Sequence, residues 1–78
     1  MIKVEFTIEP FVDGDPPERV NKAIAAVEVL GIAVEIGPFG SSFVASQELV
    51  GQALSALITT AYQHGATHVS VDTEAVPG

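Results

Sequence analysis

Several groups of residues in this 78-residue chain have side chains that could support chemistry. His64 and His68 have the spacing of a metal-binding pair on a helix, but Gly65 ends a helix between them and separates their faces. The segment Gly37–Ser42 is rich in glycine and serine but lacks the lysine and the following helix of a phosphate-binding P-loop. No serine has a recognisable histidine and acid beside it. We therefore expect no catalytic residue and no metal site.

The carboxylates are more informative. The chain has ten Asp and Glu against three Lys and Arg, which gives a net charge of −7, and neither Lys nor Arg follows Lys22. Binding to nucleic acid or to an anionic membrane needs clustered Lys and Arg, so we expect neither partner. Such a charge distribution favours a small cationic ligand over an anionic one.

The composition also indicates how the chain is stabilised. It is 47% hydrophobic, which is too apolar for a disordered segment, and it has no cysteine for disulfides. A chain of this length buries only about 60–65% of its unfolded surface. We expect residues 1–78 to form one domain that gains stability by forming a homo-oligomer.

The location follows from two further features. No apolar run approaches the roughly 18 residues of a membrane span. The sequence begins with an alternating pattern and not with the basic and apolar regions of a signal peptide. We therefore expect a cytoplasmic protein.

An alternating order of strands and helices positions these side chains. Period-two alternation predicts strands that begin at residue 2 and end before Pro10, and others over residues 32–36, 41–45 and 68–72. Helical spacing of apolar residues predicts a helix from Pro16 to Leu30, capped by Asp15 and ended by Gly31, and another from Ser46 to Gly65.

The predicted order is βαββαβ. The right-handed crossover rule places both helices on one face of a four-stranded antiparallel sheet. Strands 1 and 3 are then central, and strands 2 and 4 are at the edges. The sequence thus predicts an α+β, ferredoxin-like fold.

The sheet face opposite the helices, here called the open face, is predicted to be acidic. Its predicted residues are Lys3, Glu5, Thr7, Glu9, Glu35, Ser70, Asp72 and Glu74. The third strand adds either Ser41 and Phe43 or Ser42 and Val44, because its short pattern does not fix the register. Like charges on adjacent strands are destabilising, and a bound cation or protonated amino-heterocycle would relieve that cost. A solvated, charged face with no ligand is the simpler alternative.

Three segments resemble the small thiamine-binding proteins of the YkoF-like superfamily. Val4–Pro10 resembles the opening strand of that family, Gly37–Ser41 resembles the turn after its second strand, and Gly65–Val71 resembles its last strand. The resemblance implies a ferredoxin-like domain that forms dimers or tetramers. It also implies non-catalytic binding of thiamine, or of its hydroxymethylpyrimidine half, between subunits. In one difference from the family, Ser42–Ser46 carries no acidic residue at the end of the third strand.

The resemblance, together with the acidic open face, suggests which residues contact the ligand. Polar groups would come from Glu5, Thr7, Ser41, Ser70 and Asp72, and the aromatic stacking surface from Phe39 or Phe43. We expect no cofactor apart from this ligand.

Other functions remain open at this stage. A regulatory module like the ACT domains shares the element order and would bind an amino acid at the loop of residues 12–15. A structural domain would use its open face only to form oligomers. An enzyme of the dimeric α+β barrel type has little support, because no acid–base pair stands out.

Overall fold

The computed structural model describes residues 1–10, 16–38 and 40–78, which form one antiparallel sheet and two helices. The elements are β1 (Ile2–Glu9), α1 (Glu18–Glu28), β2 (Glu35–Gly37), β3 (Gly40–Ala45), α2 (Gln47–Gln63) and β4 (His68–Ala75). The strand order is β2-β3-β1-β4, so β1 and β3 are central, as predicted. This is the βαββαβ arrangement of a ferredoxin-like α+β fold. In the described residues, neither helix is long and apolar enough to cross a membrane.

The hydrophobic core lies between the sheet and the two helices. Alternation along β1 turns Val4, Phe6 and Ile8 towards the helices, and all three are buried. Val27 of α1 and Leu57 of α2 are fully buried against this face. The opposite side of β1 is left facing outwards, and this is what creates the open face.

α1 begins at Glu18, two residues later than the sequence pattern predicts. Pro16 directly precedes Pro17, and the ring of a proline disfavours the helical conformation of the residue before it. The helix therefore does not begin at Pro16. Pro17 is instead the N-cap residue, with an extended ψ of 163°, and its carbonyl accepts a hydrogen bond from the amide of Asn21 at 3.1 Å. The predicted cap, Asp15, lies outside the described residues.

β2 is shorter than the alternation of residues 32–36 predicts. It spans only Glu35–Gly37. Ile32 is 6% exposed and packs into the core before the chain reaches the sheet, whereas Ile36 is 59% exposed at the edge. Burial of Ile32 in the core therefore overrides the period-two pattern.

The second half of the chain follows its pattern closely. Ser46 is the N-cap residue of α2, although its side chain makes no capping hydrogen bond. His64 is the C-cap residue, and Gly65 follows it with a φ of +95°, a conformation that glycine adopts without steric cost. β4 continues three residues beyond its predicted end, because Ala75 still pairs with Ile2 of β1.

Candidate functional site

The register of β3 decides which of its side chains reach the open face. Glu5 of β1 pairs with Ser42, and Val4 pairs with Phe43. Residues directly opposite each other in an antiparallel pair have side chains on the same face. Ser42 therefore lies on the open face with Glu5, and Val44 lies on that face two residues further along.

This register corrects the predicted positions of Phe43 and Ser41. Phe43 is 3% exposed, and its ring packs against that of Phe6 with the ring centroids 6.1 Å apart. Ser41, opposite Phe6, also turns its side chain towards the helices and is 9% exposed. Phe43 is therefore a core residue and not a stacking surface on the open face.

Three carboxylates and a hydroxyl lie in one line across the sheet. Glu35 pairs with Ser42, Ser42 with Glu5, and Glu5 with Asp72, so this line crosses all four strands. The three carboxylate side chains are exposed and Ser42 is half-buried. We call these four residues the acid row. Since adjacent strands are only about 4.7–4.9 Å apart, the row concentrates negative charge on the middle of the open face.

The neighbouring line of residues has no large side chain. Gly37 pairs with Gly40, and Thr7 pairs with Ser70. Gly40 adjoins β1 closely, because a Cβ built on it would lie 3.1 Å from the carbonyl oxygen of Phe6 and 3.2 Å from Cγ2 of Thr7. We call Gly37, Gly40, Thr7 and Ser70 the small-residue row. Its two glycines leave a depression beside the carboxylates.

The two rows together line an open pocket of about 530 Å³. Its other wall is formed by the turn between β2 and β3, where Pro38 lies at the rim. Pockets for drug-sized molecules have volumes of about 300–1,000 Å³, so this pocket can hold one small heterocyclic molecule. Its polar groups are carboxylates and hydroxyls, which suit a cation that also donates hydrogen bonds.

The negative charge of the acid row is only partly balanced. Nζ of Lys3 lies 3.4 Å from Oε1 of Glu5. Further along the face, Nδ1 of His68 lies 3.8 Å from Oε2 of Glu9. Within the part of the chain that the structure describes, no ion pair reaches Glu35 or Asp72. The pocket therefore has net negative charge at both ends of the acid row.

The structure brings together four of the predicted ligand residues and adds two others. Glu5, Thr7, Ser70 and Asp72 all line the pocket, as do Glu35 and Ser42, which complete the acid row. Glu35 could be found from its alternation with the apolar residues beside it, but Ser42 needed the register of β3. The backbone of β3 also brings Ser41 to the pocket wall. Phe39 lies outside the described residues, between Pro38 and Gly40.

The described residues give no indication of a metal centre. No group of three or more His, Asp or Glu side chains among them is arranged to hold an ion. His64 is an exposed residue at the end of α2, and His68 is on β4 beyond Gly65. The two histidines therefore do not lie on one helical face.

Solved structures of other proteins share this fold, although no family model and no curated protein matches the chain. Protein SP2199 of Streptococcus pneumoniae is 18% identical with a TM-score of 0.70, over 99% of this chain and 86% of that one. A DUF77 domain of Bacillus cereus is 19% identical with a TM-score of 0.66, over 94% and 71%. A Thermotoga maritima protein, described as a candidate thiamine biosynthesis or salvage protein, is 22% identical with a TM-score of 0.65, over 94% and 78%. At these identities the similarities show a shared ferredoxin-like fold.

Proposed function

We propose that this chain binds thiamine, or the hydroxymethylpyrimidine half of thiamine, in the pocket on its open face, and that it does so without catalysing a reaction. The observation that carries the proposal is the acid row beside the small-residue row. Carboxylates opposite one another destabilise a sheet, and here they surround a space that a small cation can fill. A merely solvated face would need neither the aligned charge nor the glycine-lined depression.

The chemistry of thiamine fits these groups. Its thiazolium ring is a permanent cation, which Glu5 and Asp72 attract. Its aminopyrimidine ring donates and accepts hydrogen bonds, which the hydroxyls of Thr7, Ser42 and Ser70 can complete. A hydrogen bond to a charged partner contributes about 1.5–3 kcal/mol, so a few such contacts, added to the burial of the rings, are sufficient to hold a small ligand at micromolar concentration.

A similarity in sequence and a similarity in fold support the same ligand class. The segments Val4–Pro10, Gly37–Ser41 and Gly65–Val71 resemble the YkoF-like thiamine-binding proteins. The Thermotoga maritima neighbour, with the same fold, is described as a candidate for thiamine biosynthesis or salvage. All three segments contribute residues to the pocket itself, among them Glu5 from the first and Ser70 from the last.

The outer side of the ligand needs a cover, because the pocket is open to solvent. In this proposal Phe39 supplies an aromatic surface from the turn beside Pro38, and a second subunit closes the rest. Binding between subunits is what the resemblance implies. It would also bury part of the exposed apolar surface, to which Val44 contributes on the open face.

Titration calorimetry tests the proposal with a series of related ligands. We expect thiamine and hydroxymethylpyrimidine to bind, and oxythiamine, in which an oxygen replaces the 4-amino group, to bind more weakly. Thiamine monophosphate and diphosphate should bind progressively more weakly, because their phosphates are repelled by the acid row. Heat from neutral amino acids but not from thiamine would contradict the proposal and favour an ACT-like module. The absence of heat from every ligand would favour a structural domain.

A further inference from the structure

Lys3 is the one Lys or Arg in the strands of the described structure, and it lies beside the acid row on the open face. The other two basic residues of these types, Arg19 and Lys22, belong to α1. Alternation along β1 puts Lys3 on the same side as Glu5, two residues before it. Glu5 lines the pocket, and Lys3 lies just outside that lining. The ammonium of Lys3 is therefore a positive charge at the margin of an acidic pocket.

Two carboxylates lie within reach of this ammonium. Glu74 of β4 is directly opposite Lys3, and side chains at such positions have Cβ atoms about 4.5–5.5 Å apart. Glu5 starts farther away, about 6.5 Å along the same strand. Nζ of Lys3 nevertheless lies 3.4 Å from Oε1 of Glu5, and among the described residues no ion pair joins Lys3 to Glu74. The side chain therefore reaches the acid row although another carboxylate starts nearer to it.

The charge of the acid row explains this preference. Glu5 lies between Asp72 and Glu35 in that row, so an ammonium at Glu5 is attracted by more than one carboxylate. Glu74 is exposed near the end of β4, outside the row. Lys3 thus shows that the acid row attracts a cation, and it places one against the carboxylate that the proposed ligand also needs.

We propose that Lys3 is a specificity-determining residue, whose ammonium competes for the acid row until a bound ligand moves it from Glu5 to Glu74. The inference rests on the proposed function, since it concerns the same pocket. A cationic ring in contact with Glu5 repels the ammonium of Lys3, and Glu74 offers that ammonium a second partner directly opposite. Only the lysine side chain has to change rotamer, which takes picoseconds to nanoseconds at an exposed position, so the backbone stays fixed.

An internal competitor of this kind selects between classes of cation. A group held on a short flexible tether has an effective concentration in the millimolar range. A simple alkylamine offers the acid row only the ammonium that Lys3 already offers, so at lower concentrations it does not displace the side chain. A cationic heterocycle adds contact with the small-residue row and hydrogen bonds to Thr7 and Ser70. The pocket therefore selects flat heterocyclic cations over alkylamines.

NMR of isotope-labelled lysine follows the ammonium directly, because the chain contains only two lysines and the exposed Lys22 is an internal reference. Before thiamine is added, Glu5→Gln should shift the Lys3 Cε signal more than Glu74→Gln does. Saturating thiamine should move that signal, and Glu74→Gln should then shift it further. Butylamine at the same concentration as thiamine should leave it in place. The reverse order of the first two shifts, a signal that thiamine does not move, or an equal movement with butylamine would overturn the proposal.

Titration calorimetry measures the competition itself. Lys3→Met removes the charge and keeps an unbranched side chain. It should strengthen thiamine binding about two- to fivefold, the range expected when one exposed ion pair no longer has to be broken. Lys22→Met makes the same change in net charge on α1 and should leave the affinity unchanged. Equal affinities of these two variants for thiamine would overturn the inference.

A cycle of single and double variants separates displacement from simple repulsion. Because the displaced Lys3 needs Glu74 as its new partner, Glu74→Gln should weaken thiamine binding about two- to fivefold in the unmodified chain and much less in Lys3→Met. Simple repulsion between Lys3 and the ligand would make the two effects additive. Additivity would overturn the inference and leave the proposed function intact. The absence of heat from thiamine in every variant would overturn the proposed function and this inference with it.

Discussion

Glu5 and Asp72 lie directly opposite each other on β1 and β4, with both carboxylates exposed on the open face. Lys3 lies within ion-pair distance of Glu5, whereas no basic side chain among the described residues lies within that distance of Asp72. Like charges in this arrangement lower the stability of a sheet. The fold therefore retains an unfavourable contact at the centre of the pocket, and a bound cation would remove it.

This contact should be measurable without any ligand. Asp72→Asn is expected to raise the free energy of unfolding by about 0.2–1 kcal/mol, because it removes the repulsion between the opposite carboxylates. In the double variant that also carries Glu5→Gln, each substitution should raise the free energy of unfolding by less than it does alone, since the other has already removed the repulsion. Urea denaturation of the unmodified chain, the two single variants and the double variant measures this coupling. Strictly additive effects would show that the two carboxylates do not interact.

Replacing glycine with alanine should stabilise the fold at one position and destabilise it at another. Gly51 lies in the middle of α2 on its solvent-exposed side, and a Cβ added to it would meet no atom within 4 Å. Because alanine favours the helical conformation more than glycine does, Gly51→Ala should raise the free energy of unfolding by about 0.5–1 kcal/mol. Gly40→Ala should lower it by about 1–3 kcal/mol, because the new methyl group meets the carbonyl oxygen of Phe6 at 3.1 Å. Urea denaturation measures both. If Gly40→Ala proved neutral, the close approach of β3 to β1 would be wrong.

Phe43 should behave as a core residue. Phe43→Ala is expected to lower the free energy of unfolding by about 3–5 kcal/mol, because the ring is buried against Phe6. Phe43→Leu keeps most of the volume and should cost less than about 1.5 kcal/mol, which leaves enough folded protein for binding measurements. We expect Phe43→Leu to bind thiamine like the unmodified chain. A loss of binding with unchanged stability would return Phe43 to the ligand site.

Phe39 gives the opposite expectation. If its ring covers the ligand, Phe39→Ala should weaken thiamine binding by about 1–3 kcal/mol, by analogy with the stacking of bases on aromatic side chains. The loss in folding free energy should be much smaller. Calorimetry and denaturant unfolding on the same preparation separate the two effects. A large loss of stability with intact binding would show that Phe39 is an ordinary core residue.

The fold and much of the acidic face follow from local sequence patterns. β1 alternates without interruption, so its core side and its open side, with Glu5 and Thr7, are fixed by the strand geometry alone. β4 alternates in the same way, and this alternation puts Ser70 and Asp72 on the open face. These strands have charged or hydroxyl side chains on one face and mostly apolar side chains on the other, and a slip of one residue would bury the polar set.

β3 lacks such a pattern, so its sequence alone does not show that Ser42 faces the pocket and that Ser41 and Phe43 face the helices. Ser41 and Ser42 are the same residue type, and Phe43 and Val44 are both apolar, so neither face is marked as the buried one. The choice is made by tertiary packing, since Phe43 fills the space beside Phe6. Once that register is set, Ser42 joins the acid row. No local feature of the sequence could have supplied that contact.

The central claim is that the acid row binds a cation, and calorimetric titration of thiamine into three variants tests it most directly. Glu5→Gln and Asp72→Asn should each weaken binding by about 1.5–3 kcal/mol, the usual contribution of a hydrogen bond to a charged group, or roughly tenfold or more in the dissociation constant. Glu28→Gln makes the same change in net charge at an exposed position on α1 and should leave binding unchanged. Equal affinity in all three variants and the unmodified chain would contradict the account.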